Sequence, residues 1–242
     1  MKASPSDQQQ ILDVAAFDQK TTALNHTAST LPELAELISI TTKSNNARDL
    51  RIAAETEHSD VKRELLRAEG DVEQIVTRIT RDEARLSGGS ASPKELEQLQ
   101  HEVGTLNARR SELEEVELEI MMRVDEIKAR IADLQSQEAD FTVQINDLNI
   151  RKENALARIN GELEALAQER SETLASVSPE LVALYEKIRA SNNGTGAAAL
   201  VAGTCTGCHL SINTVELKRI AELASDEVVR CEECRCILVR GA

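Results

Sequence analysis

Apolar residues recur at alternating steps of three and four along most of this chain, and the longest run begins at Leu96. It passes through Leu99, Val103, Leu106, Arg110, Leu113, Glu117, Ile120, Val124, Ile127, Ile131 and Leu134. It continues through Glu138, Phe141, Ile145, Leu148, Lys152, Ala155, Ile159, Glu162 and Leu166 with no slip of register. Five of these positions are polar and the rest apolar, a spacing that keeps one narrow stripe on one side of a helix. It predicts a coiled-coil arm of about ten heptads, running about 110 Å at 1.5 Å per residue. A matching stripe precedes it at Val61, Leu65, Ala68, Val72, Ile75, Ile79, Asp82 and Leu86.

Between the stripes lies Ser87-Gly88-Gly89-Ser90-Ala91-Ser92-Pro93. Glycine permits a reversal, Ser92 suits an N-cap and Pro93 a first helical turn. Each stripe needs a partner, and the short linker supplies one within the chain. The prediction is an antiparallel hairpin with its tip near residues 87–93. Residues 32–87 are too few to match the returning arm, so a helix over 7–27 extends the first arm, with a joint at Ser29-Thr30-Leu31-Pro32. After the hairpin, Ser178 is a plausible cap for a short helix over 180–189.

From Gly194 the pattern changes. Two Cys-x-x-Cys pairs, Cys205 with Cys208 and Cys231 with Cys234, stand among short runs that read as strands at 198–202, 210–212 and 237–239, with 228–229 leading to the second pair and a helix predicted over 214–223 capped by Asn213. Each pair can aim two thiolates at one ion from a tight turn. Together they fill the four positions of a tetrahedral Zn²⁺, leaving none open for water or substrate, so the metal is expected to be structural. The competing readings are a redox-active pair or two disulfides, against which stands the lack of any thioredoxin-like βαβ pattern. His209 could replace one thiolate, and Cys236 is a fifth, competing thiol. The expected fold is mainly α: a long antiparallel coiled-coil hairpin over 1–193 with a short pre-ribbon helix, then a small zinc ribbon over 194–242.

Composition supports an elongated chain over one large globule. There are two Phe, one Tyr and no Trp in 242 residues, too few aromatics for a conventional core of that size. The net charge is −14. Residues 194–242 carry five basic side chains (Lys218, Arg219, Arg230, Arg235, Arg240) against six acidic, and the helical part carries the remaining −13. Neither part offers the broad positive field typical of nucleic-acid or anionic-membrane binding. The start MKASPSDQQQ lacks signal-peptide features and no stretch has the apolar length of a membrane span, so a cytoplasmic location is expected. In a reducing compartment, paired cysteines are more often metal ligands than disulfides.

Catalytic and small-molecule cofactor sites are not expected. Gly88-Gly89 lacks the surroundings of a phosphate loop, and nothing pairs two carboxylates for acid–base work. The polar stripe residues Arg110, Glu117, Glu138, Lys152 and Glu162 either fix the hairpin register or reach solvent along their stems.

The cysteine segment resembles that of a bacterial family of coiled-coil proteins with a C-terminal C4-type zinc ribbon. The carrying residues are Cys205-Thr-Gly-Cys208-His209-Leu210, Cys231-Glu-Glu-Cys234 and Ile237-Leu238. Upstream, SASPKELEQL over 90–99 resembles the family's hairpin tip, and Leu184-Tyr185-Glu186-Lys187-Ile188-Arg189 its pre-ribbon helix. One departure is visible: the family continues from its last ligand as Gly-Arg-Ile-Leu, where this chain has Arg235-Cys236-Ile237-Leu238.

The resemblance implies a non-enzymatic adaptor. Some members are chaperones or adaptors of flagellar or type III secretion systems, one is linked to a sigma factor and messenger RNA, and many are described as nucleic-acid-binding. Two functions follow as expectations: a scaffold that binds protein partners along the arms or ribbon, or a regulator that binds RNA or DNA through the ribbon. Against the second stands a ribbon without Phe, Tyr or Trp for base stacking. Whether two hairpins form a homodimer is left open.

Overall fold

The computed structural model describes residues 1–89 and 92–241. Its elements are α1 (Pro5–Ser29), α2 (Pro32–Ser87), α3 (Pro93–Ala175), α4 (Pro179–Ser191), β1 (Ala197–Val201), β2 (Thr204–Cys205), α5 (Thr214–Glu222), β3 (Val229–Arg230) and β4 (Ile237–Val239). Proline opens α1 through α4, where its missing N–H removes no helical hydrogen bond. The joint between α1 and α2 falls at Thr30-Leu31, as the Pro32 signal predicts. The chain divides into two compact units, residues 35–148 and residues 1–34 with 149–242.

In unit 35–148, α2 and α3 run antiparallel. Ion pairs record the direction: Glu57 meets Arg130, and Glu64 meets Arg123 at 3.2 Å. The stripe of α2 reaches further back than its bulky residues suggest. Ile40, Ala47, Ala54, Val61 and Ala68 are all buried at a strict seven-residue interval. Alanines at Ala47 and Ala54 bring the arms close, and these residues pack with Val124, Ile127 and Leu134. Of the polar stripe positions in this unit, Glu138 fixes register, because Arg51 of the opposite stripe donates to it at 2.7 Å. Arg110 instead pairs with Glu114 of its own helix. At the tip, Ser92 and Glu95 form a capping box, the Ser92 N–H donating to the carboxylate at 2.8 Å. Gly89 adopts φ +67°, and Ser90 and Ala91 of the tip motif lie outside the described residues.

The other unit holds α1, the end of α3, α4 and the ribbon. Here the α3 stripe departs from its expected register at Glu162, which is exposed while Leu163 faces inward in its place; Leu166 keeps its expected inward position and Arg170 follows it. Two consecutive steps of four, from Ala155 to Ile159 to Leu163, rotate the stripe as α3 meets new neighbours. The ribbon is a four-stranded sheet in the order β2-β1-β4-β3, with β1 and β4 parallel and the outer pairs antiparallel. The run 210–212 is not a strand; it contributes one isolated bridge, Ser211 to Thr204.

Few large side chains leave this sheet short of apolar cover, and the helices supply it. Ile11 and Val14 of α1 and Leu181 and Tyr185 of α4 share one buried cluster with Ala197, Ile237 and Leu238. The change of secondary structure at 193–194 is therefore not a break in packing. Residues 1–3 also join the ribbon: the Ala3 N–H donates to the Asp226 carbonyl at 2.8 Å and the Val228 N–H to the Met1 carbonyl at 3.1 Å. Buried Gln8 donates to the carbonyls of Ala3 and Ser225. Ser178 makes no side-chain cap to α4; instead its backbone N–H donates to Asp7 at 3.2 Å.

Candidate metal centre

Each Cys-x-x-Cys pair folds as a knuckle, and the two repeat one hydrogen-bond pattern. In the first, the His209 N–H donates to the Cys205 carbonyl at 2.8 Å, and the Cys205 N–H to the Leu210 carbonyl at 3.1 Å. In the second, the Arg235 N–H donates to the Cys231 carbonyl at 3.0 Å, and the Cys231 N–H to the Cys236 carbonyl at 3.0 Å. Both turns need a left-handed residue after the second cysteine, supplied by His209 at φ +60° and Arg235 at φ +63°. Position 235 is where the resembled family carries glycine, the residue that adopts this conformation without strain. The turn survives the replacement at the conformational cost of a side chain in that region.

The knuckles bring Cys205, Cys208, Cys231 and Cys234 together with every Sγ within 4.8 Å of the others. Across the knuckles, Cys205 lies 3.9 Å from Cys234, and Cys208 lies 3.9 Å from Cys231. A Zn–S distance of about 2.3 Å implies tetrahedral S–S edges of about 3.8 Å, so the four sulfurs fit one zinc ion. His209 is exposed in its turn and lies outside this group. Cys205 and Cys231 are buried, whereas Cys208 and Cys234 are half-buried. Without a cation, burial pushes the Cys234 thiol up to about 12. A dication reverses that preference, because thiolates bound to it trade solvation for a metal bond. Four protein ligands close the coordination sphere, so the zinc is structural.

The ribbon's basic residues are largely committed internally. Arg240 donates to the carbonyls of Ile220, Leu223, Ala224 and Glu227, closing the C-terminal end of α5. Arg219 is paired with Glu216, and Arg230 donates to the Arg235 carbonyl at 3.0 Å.

A second constellation lies among the helices packed against the ribbon. Asp18 of α1, only 4 % exposed, accepts from the Tyr185 hydroxyl at 2.6 Å, from Arg170 at 2.8 and 3.3 Å, and pairs with Arg189 at 3.0 Å. Glu186 balances the second guanidinium charge by accepting from both arginines. Burial, and then the bond to Asp18, drive the Tyr185 phenol well above its ordinary range. Tyr185 in turn lies against Gly196, where an added Cβ would come within 2.4 Å of the ring. Asp18 and Arg170 escape sequence reading because each is a lone charge four residues after an inward apolar residue, Val14 and Leu166, and a charge at such a position reads as the end of a stripe; the chain's single tyrosine was the one available signal.

The model for the CT398-like coiled coil hairpin domain matches residues 14–193, about three-quarters of the chain, and that for the C4-type zinc ribbon domain matches 204–238. This chain belongs to the CT398-like coiled-coil hairpin family. The uncharacterized protein Rv2229c of Mycobacterium tuberculosis is 35 % identical to this CT398-like protein, covering 99 % of this chain and 98 % of its own. A solved structure from Mycobacterium smegmatis superposes with TM-score 0.86 at 28 % identity, covering 99 % and 100 % of the two chains. The structure of CT398 from Chlamydia trachomatis superposes with TM-score 0.67 at 20 % identity over 97 % of each chain, a likeness of fold. Among the described residues, no helix of this CT398-like protein is long and apolar enough to cross a membrane.

Proposed function

We propose that this CT398-like protein is a non-enzymatic cytoplasmic adaptor that binds protein partners along its hairpin, with the zinc ribbon as a fold-maintaining clamp. The observation that carries this reading is apolar surface left outside the intramolecular stripe. On α3, Leu118 and Met122 are 58 % and 65 % exposed one turn apart, with Met121 beside them. Side chains at that spacing suit helix-on-helix docking, and methionine adapts to irregular partners. The closed cysteine site offers no coordination position for substrate, which supports a binding role for the whole.

A nucleic-acid role through the ribbon has less support, because Arg240, Arg219 and Arg230 are engaged internally, which leaves Lys218 and Arg235 as candidates among its basic residues. Affinity purification from the native cell, with and without RNase and DNase, separates the two. A protein recovered after nuclease treatment, and lost when Leu118 and Met122 are both changed to Lys, supports the adaptor. Recovery of nucleic acid alone, unaffected by those changes, sinks it.

A further inference from the structure

A fifth thiol borders the metal centre. Cys236 is fully buried, and its Sγ lies 3.7 Å from that of Cys205 and 3.1 Å from that of Cys234. The first of these distances is close to the tetrahedral edge of about 3.8 Å expected around zinc. The first knuckle has no counterpart, since the corresponding residue is Leu210, half exposed. Cys236 instead fills the space beside Gly207, whose added Cβ would approach its sulfur to 3.5 Å and the Ala198 methyl to 3.0 Å. The fifth thiol thus lies against the Cys205–Cys234 edge of the cluster, outside the group of four sulfurs that are all within 4.8 Å of one another. Its neighbour Cys234 is one of the two half-buried ligands and is open to reagents.

We propose that Cys236 is a resident substitute ligand that takes the coordination position of Cys234 when Cys234 is lost or chemically blocked. The proposal rests on the zinc assignment above. Cys205, Cys208, Cys231 and Cys236 then hold the ion. In the exchange with intact Cys234, its bond to zinc breaks and that from Cys236 forms. With intact Cys234 the Cys236 thiol proton passes to the departing sulfur; where Cys234 is alkylated, its sulfur bonds the reagent's carbon as the reagent's leaving group departs, and the Cys236 proton passes to solvent, so four thiolates again hold the ion and no oxidant is consumed. Both residues leave the same knuckle two positions apart, so the swap calls for a short local movement and leaves the first knuckle in place.

The test uses the full chain loaded with zinc or cobalt, comparing C234S, C236S, C208S and the C234S/C236S double variant. Chelator competition is expected to place C236S at the wild-type affinity and C234S within about tenfold of it. C208S and the double variant are expected to lose about a hundredfold or more, the share of one thiolate in a four-ligand site. Cobalt-loaded C234S should keep the sulfur-to-metal charge-transfer intensity of four thiolates, and the double variant that of three. C234S falling to the level of C208S or of the double variant, by weak binding or by failure to fold, overturns the proposal. So does C236S losing zinc by itself. Wild-type protein that binds no zinc would overturn the metal assignment instead. A measurement independent of variant folding is alkylation of the zinc-loaded wild type at Cys234. Native mass spectrometry should find zinc retained on the singly labelled chain, and its loss counts against the substitute ligand.

Discussion

Replacing Asp18 by Asn is the sharpest test of how the helices hold the ribbon. The carboxylate meets three donors, Tyr185, Arg170 and Arg189, while almost wholly out of water. A neutral amide keeps the shape, turns one acceptor into a donor and leaves two guanidiniums without their shared anion. Breaking a buried pair from one side costs about 3–5 kcal/mol. Arg170 and Arg189 are 22 % and 36 % exposed and keep Glu186, so water and the second carboxylate set the value at the low end, about 3 kcal/mol. At about 2–4 °C per kcal/mol for a chain of this size, the melting temperature should fall by about 6–12 °C. The assay is built in: Tyr185 is the one tyrosine and there is no tryptophan, so intrinsic fluorescence reports this site alone. Asp13, exposed on the same helix, provides the control as Asp13→Asn. A fluorescence melt of Asp18→Asn no lower than that of the control would refute the reasoning.

Alkaline pH should act through Tyr185. Its folded-state value is raised by burial, so this group leaves stability unchanged below pH of about 10 and lowers it by about 1.4 kcal/mol per unit above, as the unfolded chain alone loses the proton. Tyrosinate absorbance should therefore rise only with unfolding, and a rise near pH 10 with intact helical dichroism would contradict this. Gly196→Ala drives a methyl into the Tyr185 ring, with approaches of 2.4, 2.6 and 2.9 Å; it should destabilise by about 1–3 kcal/mol in the same fluorescence melt, and a neutral result would disprove the close packing. Arg235→Gly relieves a left-handed residue at φ +63° and should stabilise the metal-bound ribbon by up to about 1 kcal/mol, read as later zinc release on heating. Chelation should alter Tyr185 fluorescence while the far-ultraviolet dichroism of the helices over 35–148 persists; collapse of that signal would tie the hairpin to the metal.

The sequence by itself determined what depends on spacing. Steps of three and four specify α3 because a helix returns to one face at that interval, and paired cysteines specify a closed site because each knuckle is local. Ala47 and Ala54 went unseen because a small residue carries a weak apolar signal, and only the opposing arm gives it a reason to be buried. Tertiary structure decided the slip at Glu162, where α3 exchanges one set of neighbours for another. It also brought Asp18, Arg170, Tyr185 and Arg189 together from three helices, a meeting no local pattern encodes. The same holds for Cys236. Its place in the chain marks it as a spare thiol, but its proximity to both Cys205 and Cys234 arises only when the second knuckle closes against the first.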